Sequence, residues 1–149
     1  MIVPARLSAL VIDDNEYSLA LATDALKKLG IKSILSARDA TEGLNLAQGN
    51  DLDFVMLDWY MPDINGAGFT RLVRGGRAGC PADLPIIVAT AYATRENIKR
   101  INELGIKEIL VKPFKSRQLS MAISSALSKA DFLAIDEIQD EDKSDKFLI

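Results

Sequence analysis

The sequence has 149 residues, of which 48% are hydrophobic and 26% charged, and its net charge is −3. A chain of this length builds one hydrophobic core, and a slightly acidic chain has no electrostatic reason to bind nucleic acid or an anionic membrane. It has one cysteine, Cys80, and no histidine. An internal disulfide, a metal cage of Cys and His, and a phosphohistidine within this chain are therefore excluded.

Two features of the sequence argue against targeting to a membrane. No apolar run reaches the roughly 18 residues needed to span a bilayer. The first residues, MIVPARLSALVIDD, turn acidic before a signal-peptide core is complete. Together with the single cysteine, these features predict a cytoplasmic protein without a membrane partner.

In chain order, short apolar runs typical of strands alternate with segments in which apolar residues recur at helical spacing. The predicted strands are residues 7–12, 33–37, 53–57, 86–89 and 108–111. The predicted helices run from Leu19 to Gly30, from 41 to 47, through Leu72 and Val73, from a Thr94 cap to Gly105, and onward from a Ser116 cap. Gly and Pro over 75–85 predict an irregular loop.

Five successive strand-helix units predict a parallel sheet covered by helices on both faces, because parallel strands need crossover connections. The fold class is therefore doubly wound α/β, in one domain over residues 1–129. Residues 130–149 form an acidic tail without a domain of its own. Two interpretations of the tail stay open: an extension of the last helix, or a segment that docks on a partner or folds back onto the domain.

Polar side chains follow four of the five predicted strands. Asp13 and Asp14 follow the first, Asp58 the third, Thr90 the fourth and Lys112 the fifth. Ligands of open α/β sheets bind at these carboxyl ends. Three neighbouring carboxylates repel unless a cation compensates, and their hard oxygens suit Mg²⁺ better than Zn²⁺. One carboxylate could then attack a phosphorus atom, with the ammonium and the hydroxyl stabilising the phosphoryl oxygens.

Four motifs carry a family resemblance: VIDDN (11–15), VMLDWYMPDINGAGF (55–69), VATAYAT (88–94) and VKPF (111–114). In this order they resemble the receiver domain of two-component response regulators, of the single-domain, chemotaxis (CheY-like) type. The resemblance covers roughly residues 7–129. It implies a flavodoxin-like receiver fold with five helices and the strand order 2-1-3-4-5.

The resemblance also implies site roles. Asp58 would accept the phosphoryl group, and Thr90 and Lys112 would contact it. Asp14, Asp58 and the backbone carbonyl of Tyr60 would bind Mg²⁺, and Asp13 would support the ion directly or through water. The peptide bond between Lys112 and Pro113 would be cis. Met61, Pro62 and Gly66 would shape the loop after the acceptor.

Two features depart from the usual receiver pattern. Ile109 occupies the position, three residues before Lys112, at which many receivers carry an aromatic that reports phosphorylation. Bulky aromatics, Tyr60 and Tyr92, stand two residues after Asp58 and Thr90. Our hypothesis is that these two tyrosines shield the acyl phosphate from water and slow its hydrolysis.

The resemblance implies a signalling protein that catalyses only its own phosphorylation and dephosphorylation. Its phosphodonor would be a histidine kinase or a histidine phosphotransfer protein, and its output would be contact with a downstream protein. Two alternatives stay open. One is an adaptor of the same fold that works without phosphate, and the other is a Mg²⁺-dependent phosphohydrolase of the haloacid-dehalogenase type that forms an aspartyl phosphate.

Overall fold

The computed structural model describes residues 2–61 and 64–127. In this part of the chain, five strands form one sheet: Ser8–Ile12 (β1), Ser33–Ala37 (β2), Phe54–Asp58 (β3), Ile86–Thr90 (β4) and Glu108–Val111 (β5). The α-helices are Glu16–Lys28 (α1), Ala40–Gly49 (α2), Gly66–Arg74 (α3), Arg95–Glu103 (α4) and Ser116–Ala126 (α5), and a 3-10 turn, Pro4–Arg6, precedes β1. The predicted acidic tail, residues 130–149, lies outside the described residues, and so do both interpretations of it.

The sheet is parallel throughout and has the order β2-β1-β3-β4-β5, so the predicted doubly wound fold is confirmed. The central strands β3 and β4 are almost completely buried, whereas the edge strand β2 is partly exposed. This contrast follows from the sequence, because a strand covered on both faces must be apolar at successive positions. The irregular loop predicted over 75–85 contains no helix or strand.

Helices cover both faces of the sheet and form two core layers. One layer packs α1 and α5 against the sheet through residues such as Leu26 and Ile123. The other packs α2, α3 and α4 through residues such as Ala47, Phe69 and Ile101. Within the described ranges, no helix is long and apolar enough to cross a membrane.

Side-chain caps set the starts of the first four α-helices. The side chains of Asn15, Asp39, Asn65 and Thr94 each accept a hydrogen bond from the backbone N–H three residues later. The cap predicted for the last helix is wrong, because Ser116 is the first residue of α5 and Lys115 precedes it as the N-cap. There the Gln118 side chain accepts from the Lys115 N–H at 2.8 Å, so a glutamine bond replaces the expected serine cap.

Candidate functional site

The register of the sheet brings the predicted strand ends together. Ile12 of β1 lies opposite Leu57 of β3, so the residues that follow them, Asp13 and Asp58, leave neighbouring strands at the same level. On the other side of β3, Asp58 lies opposite Ala89 of β4. All the side chains predicted to form the site therefore emerge at the carboxyl edge of the sheet.

The three aspartates form one acidic cluster. Asp13, Asp14 and Asp58 each place a carboxylate oxygen within 4.8 Å of the others. Asp13 is buried, and the other two are half-buried. Carboxylates that are this close and partly withdrawn from water destabilise one another's charge, so the cluster favours a bound cation or a proton.

Asp13 is the best compensated of the three, although only 3% of it is exposed. Its Oδ1 accepts from the backbone N–H of Asn15 at 3.0 Å. Its Oδ2 accepts from the Ser18 hydroxyl at 2.6 Å and from Lys112 Nζ at 2.7 Å. Three donors, one of them charged, offset the cost of burying this carboxylate.

Lys112 follows β5 and extends its ammonium into the cluster. Its Nζ lies 2.7 Å from Asp13 Oδ2 but 3.7 Å from Asp58 Oδ1, so the tighter ion pair is the one to Asp13. The backbone N–H of Lys112 donates to the Thr90 carbonyl at 2.8 Å, which fixes this residue to the end of β4. The peptide bond to Pro113 is cis, as the resemblance implied.

The surroundings of Asp58 raise its pKa from 3.8 to about 7. Burial is the largest cause, and the negative charges of Asp13 and Asp14 raise the pKa further, while the Lys112 ammonium acts against them. A carboxyl whose pKa is perturbed by burial and by charged partners is typical of a functional site. Without a metal ion, the Asp58 carboxyl therefore titrates near neutral pH.

Thr90 ends β4, the strand beside β3, and a tyrosine stands two residues after each of Asp58 and Thr90. Thr90 is fully buried, and its Oγ1 accepts from the backbone N–H of Tyr92 at 3.0 Å. The rings of Tyr60 and Tyr92 meet edge to face, with centroids 5.4 Å apart, and are 46% and 63% exposed. Asn97 Nδ2 donates to the Tyr92 carbonyl at 2.8 Å and holds this turn in place.

Residues 9–124 match the family model described as the response regulator receiver domain. The chain belongs to this family. It is 32% identical over 125 residues to a probable chemotaxis protein CheY of Rhizobium etli, across 84% of this chain and 95% of that protein. CheY-like receiver domains are signalling proteins of two-component systems rather than metabolic enzymes.

Solved structures agree with this assignment. Chemotaxis protein CheY4 of Vibrio cholerae matches with a TM-score of 0.72 and 26% identity, across 81% of this chain and 98% of that one. The receiver domain of a sensor histidine kinase from Pseudomonas aeruginosa, solved with a magnesium ion in its active-site cleft, matches with a TM-score of 0.73 and 24% identity. That match covers 83% of this chain and 98% of that one, and it shows the same fold.

One side chain of this receiver domain was missed in the sequence. Ser18 donates its hydroxyl to Asp13 at 2.6 Å and accepts from Lys112 Nζ at 2.8 Å. Its only sequence signal is position: it lies three residues after the Asn15 cap, in the first turn of α1. Serine in a first helical turn usually hydrogen-bonds within the helix itself, so its position does not by itself predict a contact with the site.

Gly66, at the start of α3, fixes the loop that follows the acceptor in this receiver domain. A Cβ there would lie 2.7 Å from Trp59 Cε3, 2.9 Å from Trp59 Cα and 3.1 Å from the Asp58 carbonyl oxygen. We expect Gly66→Ala to lower the free energy of unfolding by about 1 to 2 kcal/mol, since two of these atoms belong to the backbone and cannot move aside. Urea denaturation measures this loss.

The matched control is Gly49→Ala at the end of α2, where no atom lies within 4 Å of the added Cβ. This change should leave stability unaltered or raise it by about 0.5 kcal/mol, because alanine is the better helix former. Equal effects of the two substitutions would contradict a steric role for Gly66. Of the other two residues predicted to shape this loop, Met61 is buried and Pro62 lies outside the described residues.

Proposed function

We propose that this receiver domain is a phosphoacceptor in which Asp58 takes a phosphoryl group from a phosphohistidine, with Mg²⁺ bound at the aspartate cluster. The donor is a histidine kinase or a histidine phosphotransfer protein, since this chain has no histidine of its own. The observation that carries the proposal is the carboxylate of Asp58, half-buried between two further carboxylates and the ammonium of Lys112.

The reaction is a transfer between two nucleophiles. An oxygen of the Asp58 carboxylate attacks the phosphorus, and a P–O bond forms while the P–N bond to the donor imidazole breaks. The imidazole nitrogen leaves with the electron pair of that bond and takes up a proton from solvent. Lys112 stabilises the phosphoryl oxygens, and Thr90, whose Oγ1 already accepts from the Tyr92 N–H, uses its hydroxyl proton for one of them.

The donor set fits Mg²⁺, which prefers carboxylate and carbonyl oxygens and keeps several waters. We assign Asp14, Asp58 and the backbone carbonyl of Tyr60 as direct ligands. Asp13 would act through water, because its oxygens already accept three hydrogen bonds. When bound, Mg²⁺ neutralises the carboxylates and the phosphoryl oxygens.

The test is phosphorylation by a small acyl phosphate. We expect incubation with acetyl phosphate and Mg²⁺ to add one base-labile phosphoryl group, seen by intact mass spectrometry. Asp58→Asn should abolish the gain, and Asp51→Asn, an exposed aspartate outside the cluster, should keep it. No gain in the wild-type protein would favour the phosphate-independent adaptor, and repeated turnover of a small phosphate ester would favour the phosphohydrolase.

Tyr60 and Tyr92 should lengthen the lifetime of the acyl phosphate. Their rings make an edge-to-face contact, and each tyrosine follows a site residue, Asp58 or Thr90, by two positions. We expect the paired rings to limit the approach of water in line with the P–O bond. We expect the double variant Tyr60→Asn, Tyr92→Glu to lose its phosphoryl group roughly threefold faster or more. Tyr17→Asn, an exposed tyrosine on α1, is the control, and equal lifetimes in all three proteins would contradict shielding.

Phosphorylation would shift an equilibrium between two conformations that partners distinguish. Ile109 is packed against the core and cannot act as the usual aromatic reporter. We therefore propose that the turn after β4 transmits the conformational change, because a displacement of Thr90 would move Tyr92 through their hydrogen bond. The output is contact with a downstream protein, on the face formed by α4, β5 and α5, and the proposed location is the cytoplasm.

A further inference from the structure

We propose that Ser18 is a positioning residue for Lys112, holding the ammonium in the orientation that phosphoryl transfer to Asp58 requires. This inference rests on the proposed phosphoacceptor function. It assigns a task to a hydroxyl group that neither the receiver motifs nor the acidic cluster includes.

Hydrogen bonds in the first turn of α1 fix the position of Ser18. Asn15 caps the helix, and its Oδ1 accepts from the backbone N–H of Ser18 at 2.9 Å. The N–H of Asn15 donates in turn to Asp13 Oδ1 at 3.0 Å. Because the cap is joined to Asp13 on one side and to Ser18 on the other, the Ser18 hydroxyl has a set position relative to the aspartate.

The hydroxyl of Ser18 both donates and accepts a hydrogen bond. Its single proton goes to Asp13 Oδ2 at 2.6 Å, so its oxygen is left to accept from Lys112 Nζ at 2.8 Å. Lys112 also donates to the same Asp13 oxygen at 2.7 Å. Serine, carboxylate and ammonium therefore form a closed triangle in which each pair is hydrogen-bonded.

An ammonium has three N–H donors. Two of those on Lys112 are taken by Asp13 and Ser18, which leaves the third for the side of Asp58, whose Oδ1 lies 3.7 Å from Nζ. That is the direction in which a phosphoryl group on Asp58 would sit. Holding a long lysine side chain in one rotamer before the reaction removes the entropic cost of ordering it in the transition state.

The experiment compares three full-length variants in phosphorylation by acetyl phosphate at saturating Mg²⁺. Ser18→Ala should lower the maximal rate about tenfold, with little change in the half-saturating acetyl phosphate concentration, because the lost contact orients the ammonium rather than binding the donor. Ser18→Thr keeps the hydroxyl and should restore the rate to within about twofold. Thr23→Ala removes a hydroxyl from the same helix, where it donates to the Ala20 carbonyl, and should match the wild type.

The NMR signal of the Lys112 ammonium gives a readout that does not depend on phosphorylation. In the unphosphorylated protein without Mg²⁺, NMR should detect its ¹⁵N–¹H signal in the wild type and in Ser18→Thr, assigned by its loss in Lys112→Met, and not in Ser18→Ala. If the wild type takes no phosphoryl group, the proposed function fails while this signal still tests Ser18. A wild-type rate in Ser18→Ala, a defect that threonine does not rescue, or a Lys112 signal that is missing from the wild type or indifferent to Ser18→Ala would overturn the inference.

Discussion

Without divalent cations, the free energy of unfolding should fall by roughly 3 kcal/mol between pH 4.5 and pH 8 because of Asp58 alone. The folded protein raises the pKa of Asp58 from 3.8 to about 7, chiefly through burial. Between these values the folded state holds a proton that the unfolded state has released. The stabilisation is therefore complete at low pH and is lost as the pH rises through about 7, the reverse of the usual behaviour of an ion-paired aspartate.

Asp58→Asn supplies the control, because its amide does not titrate. We expect its stability, measured by urea denaturation in EDTA, to lack this component, so that the variant exceeds the wild type at pH 8. Saturating Mg²⁺ should raise the stability of the wild type at pH 8 by about 3 kcal/mol at a hundredfold excess over Kd, and that of Asp58→Asn by less. Parallel pH profiles for the two proteins would show that Asp58 does not hold this proton.

The sequence was sufficient to predict the fold and to place the aspartate cluster at the carboxyl edge of the sheet. Every strand ended within one residue of its prediction, because buried parallel strands are continuous apolar runs that polar residues terminate. Placing Asp13 and Asp14 beside Asp58 required the strand order, which the receiver resemblance implied and the sheet confirmed. Thr90 and Lys112 then followed from the ends of the last two strands.

What the sequence could not predict depends on side-chain conformation. From its backbone position, Lys112 can reach either Asp13 or Asp58. Its side-chain conformation decides that Nζ lies 2.7 Å from Asp13 Oδ2 and 3.7 Å from Asp58 Oδ1. Ser18 was missed because its contact with Lys112 joins residues 94 positions apart. The Ser116 cap failed for a local reason, since the side chain of Gln118 bonds to the N–H of the preceding Lys115.

The position of Lys112 between two carboxylates leads to the second large effect. We expect Lys112→Met to lower the free energy of unfolding by roughly 2 to 3 kcal/mol at pH 8 without Mg²⁺. Methionine fills a similar volume but leaves Asp13 without its charged partner, and Asp13 is only 3% exposed. The same substitution should cost less at pH 5, where Asp58 binds a proton and one negative charge fewer needs the ammonium.

Two comparisons separate this ion pair from general effects of removing a lysine. Lys107→Met, at an exposed site just before β5, should change stability by less than about 0.5 kcal/mol. In the double variant Asp13→Asn, Lys112→Met, the loss should be smaller than the sum of the two single losses, because each substitution removes the same contact. Additive losses would mean that Lys112 and Asp13 stabilise the fold independently, and the acidic cluster would then depend on Mg²⁺ or a proton for its compensation.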